Sequence, residues 1–154
     1  MSAAPGYLLD TNIVLHATRE NSPVSAAVDA QFQLRTSAFR PTICEVTVAE
    51  MLAFANSSNW GEMRKERLRQ TIHDLLVIPI ADARIHQRWA DLYSHAKANG
   101  LAIQHDHNDI WIAAVAHVTG LKLLSTDGAA FLPLRNTPWL DVGVLNPMTG
   151  LIVP

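Results

Sequence analysis

Five short apolar runs alternate along this chain with longer stretches whose apolar residues recur at helical spacing, and that alternation constrains the fold more than any other feature. The runs are GYLLD (6 to 10), FRPTIC (39 to 44), LLVIPI (75 to 80), LKLLS (121 to 125) and, more weakly, LDVGVL (140 to 145). The helical patterns between them cover Asn12 to Arg19, Pro23 to Leu34, Val46 to Asn56, Gly61 to Asp74, Asp82 to Ala98 and Asn108 to Val118. Short buried strands alternating with helices imply a three-layer α/β/α domain around a mainly parallel sheet of about five strands. No repeat, low-complexity tract or long linker divides the chain, so residues 1–154 are expected to form a single domain.

Composition narrows the class further. The chain is 49% hydrophobic and 17% charged, the balance of a folded globule, and no stretch approaches the roughly 18 apolar residues of a membrane span. The opening MSAAPGYLLD has no basic region followed by a long apolar core, so no secretory signal is expected. One cysteine, Cys44, excludes an internal disulfide framework and fits a reducing cytoplasm; a small apolar filler at a strand end is its expected part. The net charge of −2 excludes a polycation that grips nucleic acid by bulk electrostatics.

In an open sheet of this kind the ligand crevice lies outside the carboxyl ends of the strands. Four acids stand there or a helical turn beyond. Asp10 ends the first strand, Glu50 sits in CEVTVAEML after the second, Asp109 opens the helix of HDHNDIWIAAVA, and Asp127 follows the fourth strand in LLSTDGAAF. Each has an ordinary structural explanation. Asp10 suits a helix N-cap, Asp127 before Gly128 suits a turn, and Asp109 suits the positive end of its helix. Glu50 fits less easily, because its neighbours Val48, Ala49, Met51 and Leu52 make a charge costly without a partner.

Four carboxylates in one partly desolvated crevice repel one another, and no Lys or Arg adjoins any of the four segments. Compensation must come from a distant basic side chain or a bound divalent cation. Hard cations such as Mg²⁺ and Mn²⁺ take oxygen ligands of this type, which makes Asp10, Glu50, Asp109 and Asp127 candidate ligands for one or two ions. Setting those four acids aside leaves a formal balance of +2, compatible with a polyanionic partner.

These segments resemble the PIN domain, and within it the VapC-like toxin ribonucleases of type II toxin-antitoxin pairs. YLLDTNIVLHA matches the opening signature, VTVAEML the block with a Glu inside a helix, and NDIWIAAVAHVTGLKLLSTDGAAF the two closing blocks, of which this 24-residue segment is the most specific. The resemblance spans nearly the whole chain. It implies a metal-dependent endoribonuclease with Asp10, Glu50, Asp109 and Asp127 as the catalytic acids and Asp10 and Asp109 as direct ligands of Mg²⁺ or Mn²⁺. Thr11, Asn12 and Ser125 become the polar supports of those carboxylates. An RNA substrate, a cognate antitoxin protein and a homodimer are the implied partners, with no membrane.

Some positions depart from the pattern. Cys44 stands where the family often has Ser or Thr, so a supporting hydroxyl is expected to be missing. Glu45 competes with Glu50 for the second acid, and Asp106 with His105 and His107 adds a cluster the pattern does not demand. That HDH segment lacks the i, i+4 spacing of a zinc pair and reads as loop histidines or RNA contacts. The basic segment EMRKERLRQTIHDLL offers Arg64, Lys65, Arg67 and Arg69 either as a solvated helix face or as an RNA-steering ridge. Phe54 and Trp60 are candidates to line an antitoxin groove, Trp60 being equally suited to the core. Leu151, Ile152 and Val153 of the C-terminal tail are expected to pack on the sheet edge or on a partner. Two rival functions remain. A haloacid-dehalogenase-like phosphatase needs a second Asp where Asn12 stands, and a non-catalytic RNA-binding module would need to have lost acids that are all present.

Overall fold

The computed structural model describes residues 6–34 and 40–154. The readings made of Met1–Pro5 and of Phe39, the expected start of the second strand, lie outside them. The chain runs β1 (Tyr7–Leu9), α1 (Thr11–Ala17), α2 (Pro23–Phe32), β2 (Thr42–Cys44), α3 (Glu45–Ser57), α4 (Glu62–Asp74), β3 (Leu76–Ile78), α5 (Ala83–Ala98), α6 (His107–Thr119), β4 (Lys122–Ser125), α7 (Gly128–Phe131) and β5 (Val142–Val144). The five strands form one parallel sheet in the order β3-β2-β1-β4-β5.

The alternation of side chains along each strand produces the three layers. Leu8, Cys44 and Leu123 point to the face covered by α5, α6 and α7, where Ile85, Leu92, Ile110, Ala113, Ala114 and Phe131 close the core. Leu9, Ile43 and Leu124 point to the opposite face, against Ile13, Val14, Val28, Met51 and Leu68 of α1 to α4. Helix α6 is buried through Ile110, Ile112, Ala113, Ala114, Val115 and Ala116, so it lies within the protein rather than along its surface. Its alanines let α5 and the sheet approach closely from different sides.

The strand order gives the sheet a switch point. From β1 the chain steps outward to β2 and β3, then returns past β1 to lay down β4 and β5. The loops leaving β1 and β4 therefore diverge, and a crevice opens between them at the carboxyl end. Asp10, Ser125 and Asp127 lie at that end.

Three departures from the sequence reading have simple physical causes. Strand β3 is three residues long, with Leu76 51% and Val77 37% exposed, because it is an edge strand and Pro79 cannot continue the ladder. Helix α3 begins at Glu45, directly after β2, and α6 at His107 because Asp106 accepts from the amides of Asn108 (3.0 Å) and Asp109 (3.3 Å) as its N-cap. Helix α7 was not expected; Asp127 starts it by accepting from Ala130 N (3.0 Å).

The C-terminal tail folds back along the free edge of β5, as one of its two expected placements required. Val153 N donates to Val144 O (2.7 Å), Leu145 bridges Ile152, and Arg135 grips the carbonyls of Val153 (2.9 Å) and Pro154 (3.0 Å). Val153 packs on the core, while Leu151 and Ile152 stay about half exposed.

Candidate functional site

The central parallel strand β1 delivers Asp10 to the crevice. Its amide donates to Leu124 O (2.9 Å), which continues the β1–β4 ladder by one residue and fixes where the side chain starts. The carboxylate is 3% exposed and both oxygens accept: Oδ1 from Thr11 N (2.7 Å), and Oδ2 from Ser125 Oγ (2.6 Å) and Asn12 Nδ2 (3.2 Å). Asp10 is thus the N-cap of α1 and a member of the acidic cluster at once. Burial pushes its pKa up to about 6 against the lowering effect of the Ser125 and Thr11 bonds, and the charges of Glu50 and Asp127 add to the rise.

Asp109 comes from the opposite layer, in the first turn of α6, and is 8% exposed. Burial raises its carboxyl to about 8, helped by the charges of Asp10, Asp106, Asp127 and Glu50. Those couplings bring acids that are up to 117 positions apart in sequence into one electrostatic cluster. Glu50 reaches it from α3, with Oε1 accepting from Thr11 Oγ1 (2.7 Å) and Oε2 from Asn108 Nδ2 (3.3 Å). Asp127 stands just past β4; its amide donates to Ser125 Oγ (3.0 Å), so one serine joins Asp10 to the Asp127 backbone.

Thr11, Asn12 and Ser125 all contact the acids. Asn12 both donates to Asp10 and accepts from Thr126 N (3.1 Å), which ties the loop after β1 to the loop after β4. Three further residues stand in the cluster that the sequence reading did not assign to it. Thr47 is fully buried, with Oγ1 3.3 Å from Thr11 Oγ1; Asn108 bonds Glu50; Asp106 caps the helix that carries Asp109. Faint signals existed: Thr47 precedes Glu50 by one turn on the same helix, and Asp106 precedes Asp109 by the spacing of a capping residue.

Other candidates stand apart. Glu45 is exposed and accepts from Ile80 N (2.9 Å), beyond the end of β3. His107 lies edge-on to Trp89 and Tyr93, with ring centroids 5.5 and 5.6 Å away, in an aromatic group on α5 and α6. Within the basic segment, Arg67 pairs with Glu20 (3.2 Å) and Arg69 with Glu66 (2.9 Å), while Arg64 lies over the ring of Trp60 at 3.5 Å. Trp60 is 7% exposed and belongs to the core beneath Arg64; Phe54, 42% exposed, meets it edge to face. Cys44 is buried as a filler, and burial pushes its thiol up to about 11.

The donors around the cluster are hydroxyls, amides and backbone N–H groups, and the ion pairs of the described residues leave all four acids out. Among the described residues no three His, Cys, Asp or Glu side chains already stand in a ready-made cation-holding arrangement. Burial and the neighbouring acids nonetheless raise the carboxyls of Asp10 and Asp109. An all-oxygen set with two carboxyls raised by burial and mutual repulsion fits a hard divalent cation, which would replace the protons.

A family model of the PIN domain matches residues 7–133. The chain belongs to the PIN domain family. No curated protein matches it. Among solved structures, this PIN domain is similar to FitAcB from Neisseria gonorrhoeae at 29% identity, covering 92% of this chain and 97% of that one, with a TM-score of 0.67. It shares its fold with VapBC2 from Rickettsia felis bound to a DNA fragment from their promoter (20% identity, 91% and 98% covered, TM-score 0.70). It does so too with VapBC-5 from Mycobacterium tuberculosis, a member of the VapBC family of toxin-antitoxin systems (24% identity, 91% and 98% covered, TM-score 0.64). Among the described residues no helix is long and apolar enough to cross a membrane.

Proposed function

We propose that this PIN domain is a metal-dependent endoribonuclease, the toxin of a toxin-antitoxin pair, with Asp10, Glu50, Asp109 and Asp127 as its catalytic acids. The observation that carries the reading is that Asp10 and Asp109 are both buried, 3% and 8% exposed, with Glu50 bonded to Thr11 beside the one and Asn108 beside the other; burial and the charges of Asp10, Asp106, Asp127 and Glu50 raise the Asp109 carboxyl to about 8. A group in that state gains from exchanging its proton for a divalent cation. Asp10 and Asp109, the two most buried acids, would hold Mg²⁺ or Mn²⁺ directly; Glu50 and Asp127 complete the oxygen set.

A cation bound there supplies Lewis-acid activation of water and neutralises charge on a phosphodiester. The protein's part is positional. Ser125 and Asn12 hold one Asp10 oxygen and Thr11 N holds the other, so this carboxylate would meet a cation without rearranging. Thr11 and Asn108 do the same for Glu50. Among the described residues the side chains bonded to these acids are hydroxyls and amides rather than imidazoles, which suits hydrolysis driven by a metal rather than by a histidine.

Single-stranded or looped RNA is the expected substrate, because its backbone is accessible. Of the basic segment, Arg64 and Lys65 are the better candidates for RNA contact, since Arg67 and Arg69 are paired with acids. Exposed Phe54 is the apolar residue we assign to the antitoxin surface. Pairing of two copies, a cytoplasmic location suited to one free buried thiol, and a single domain over 1–154 belong to the same reading.

The test is cleavage of RNA by the purified protein, with fragment ends sequenced. Excess EDTA should stop it, and Mg²⁺ or Mn²⁺ should restore it. Asp10→Asn and Asp109→Asn should each lose cleavage while keeping the circular dichroism of the parent. Undiminished activity in EDTA, or in either variant, would sink the assignment.

A further inference from the structure

Cys44 ends β2 fully buried, and three residues further on α3 carries Thr47, whose side chain is buried as well. A thiol is a weak donor, and this one is held in an apolar setting. The Thr47 hydroxyl, by contrast, lies 3.3 Å from Thr11 Oγ1. We propose that Thr47 is a positioning residue for Glu50, acting through the Thr11 hydroxyl, and that Asn108 anchors the other oxygen of the same carboxylate. The inference rests on the metal-dependent reading given above.

The direction of the relay follows from counting protons. Thr11 Oγ1 lies 2.7 Å from Glu50 Oε1 and 3.3 Å from Thr47 Oγ1. A threonine hydroxyl carries one proton, and a carboxylate oxygen can only accept. The short contact therefore takes the Thr11 proton, and the longer contact is made by the Thr47 proton pointing at Thr11. Donation runs from Thr47 to Thr11 to Glu50. A hydroxyl that receives a bond donates more strongly, so Thr47 sharpens the hold of Thr11 on Oε1. Asn108 Nδ2 meets Oε2 at 3.3 Å from the first turn of α6.

The consequence is a carboxylate fixed from three elements. Thr11 opens α1, Thr47 and Glu50 share α3, and Asn108 adjoins Asp109 on α6. Each oxygen of Glu50 keeps a lone pair beyond the one its anchor uses, which allows it to be oriented and still available as a ligand. Thr47 has no access to solvent, so its hydroxyl is not there to be hydrated.

The experiment measures Mn²⁺ dissociation by calorimetry on the full chain, alongside the melting temperature of the metal-free protein. Thr47→Val removes the hydroxyl and keeps the shape. It should weaken Mn²⁺ binding about tenfold, the scale of outer-shell substitutions, without lowering the metal-free melting temperature. Thr47→Ser, which retains the donor, should restore most of the affinity. Asn108→Ala changes an exposed side chain and tests the second anchor without risk to the core; a several-fold loss is expected. In a Glu50→Ala background Thr47→Val should have no further effect on Mn²⁺ affinity, because the residue through which it acts is gone. Wild-type affinity in Thr47→Val, or an equal loss with and without Glu50, overturns the relay alone, and wild-type affinity in Asn108→Ala overturns the second anchor. A wild-type protein that takes up no Mn²⁺ overturns the proposed function, and the relay with it.

Discussion

In the metal-free protein, Asp109 should make the fold weaker as pH rises through neutrality, and removing its charge should abolish that weakening. Its carboxyl moves from an ordinary 3.8 to about 8 on folding. A pKa raised in the folded state means the folded protein holds the proton more tightly than the unfolded chain. The associated stability is fully present below pH 3.8 and is lost as pH climbs toward 8. Between pH 6 and pH 8 the unfolded carboxyl is already ionised, while the folded one passes from protonated to half ionised. The loss over that window is about 1.7 pH units' worth of proton binding, or about 2 kcal/mol at 1.36 kcal/mol per unit. Asp10, raised to about 6, has mostly completed its contribution by then and adds under about 0.5 kcal/mol.

Urea unfolding in excess EDTA, followed by the fluorescence of the four tryptophans, reads this directly. With a urea slope of about 1 to 2 kcal/mol per molar, the wild-type midpoint should fall by about 1 to 2 M between pH 6 and pH 8. Asp109→Asn has nothing to titrate there, so its stability relative to wild type should rise by about 2 kcal/mol across the same window. Taking the difference between the two proteins cancels the histidines. A difference that does not change with pH, or a wild type that strengthens toward pH 8 in EDTA, would refute the claim that burial and neighbouring acids hold Asp109 protonated. Mn²⁺ should reverse the wild-type trend, because the ion needs the ionised form and displaces the proton.

Ser125→Ala should cost about 1 to 3 kcal/mol in a urea titration, since it strips a 2.6 Å bond from a buried carboxylate, and should push the Asp10 carboxyl further up in a carbon-13 titration. Gly150→Ala should destabilise by about 1 to 3 kcal/mol in thermal unfolding, because the backbone is left-handed there (φ +72) and an added Cβ would lie 2.7 Å from Val24 O. Cys44, buried and with its thiol up at about 11, should react with a disulfide reagent only as fast as the protein unfolds, measured by absorbance with and without denaturant.

Much of the candidate site was legible because its parts obey local rules. A parallel strand that stops at Asp10, another that stops at Ser125 before Asp127, and a helix that opens with Asp109 each leave a mark within a few residues. The strand pattern also carried the layers, since period-two alternation alone sends Leu8 one way and Leu9 the other. Half-exposed Leu76 and Val77 were misleading for a related reason: an apolar run looks the same at the centre of a sheet and at its edge, and strand order is a property of the whole chain. Trp60 and Arg64 belong together through a contact between a loop and the helix after it, which no periodicity encodes.

Cys44 and Thr47 show what kind of information lies beyond such rules. Cys44 looks, on the strand alone, like a small apolar filler, and the structure buries it as one. Thr47 looks, on α3 alone, like one more buried residue of a helix whose buried face also carries Met51 and Ala55. Only when α1 is laid against α3, bringing Thr11 between Thr47 and Glu50, does the Thr47 hydroxyl become part of the site. A hydroxyl deep in a core can act on a carboxylate it does not touch, provided a second hydroxyl stands between them. The chemistry of such a site is therefore set by which hydroxyls line up in space, and the identity of the residue at any single strand end is the weaker guide.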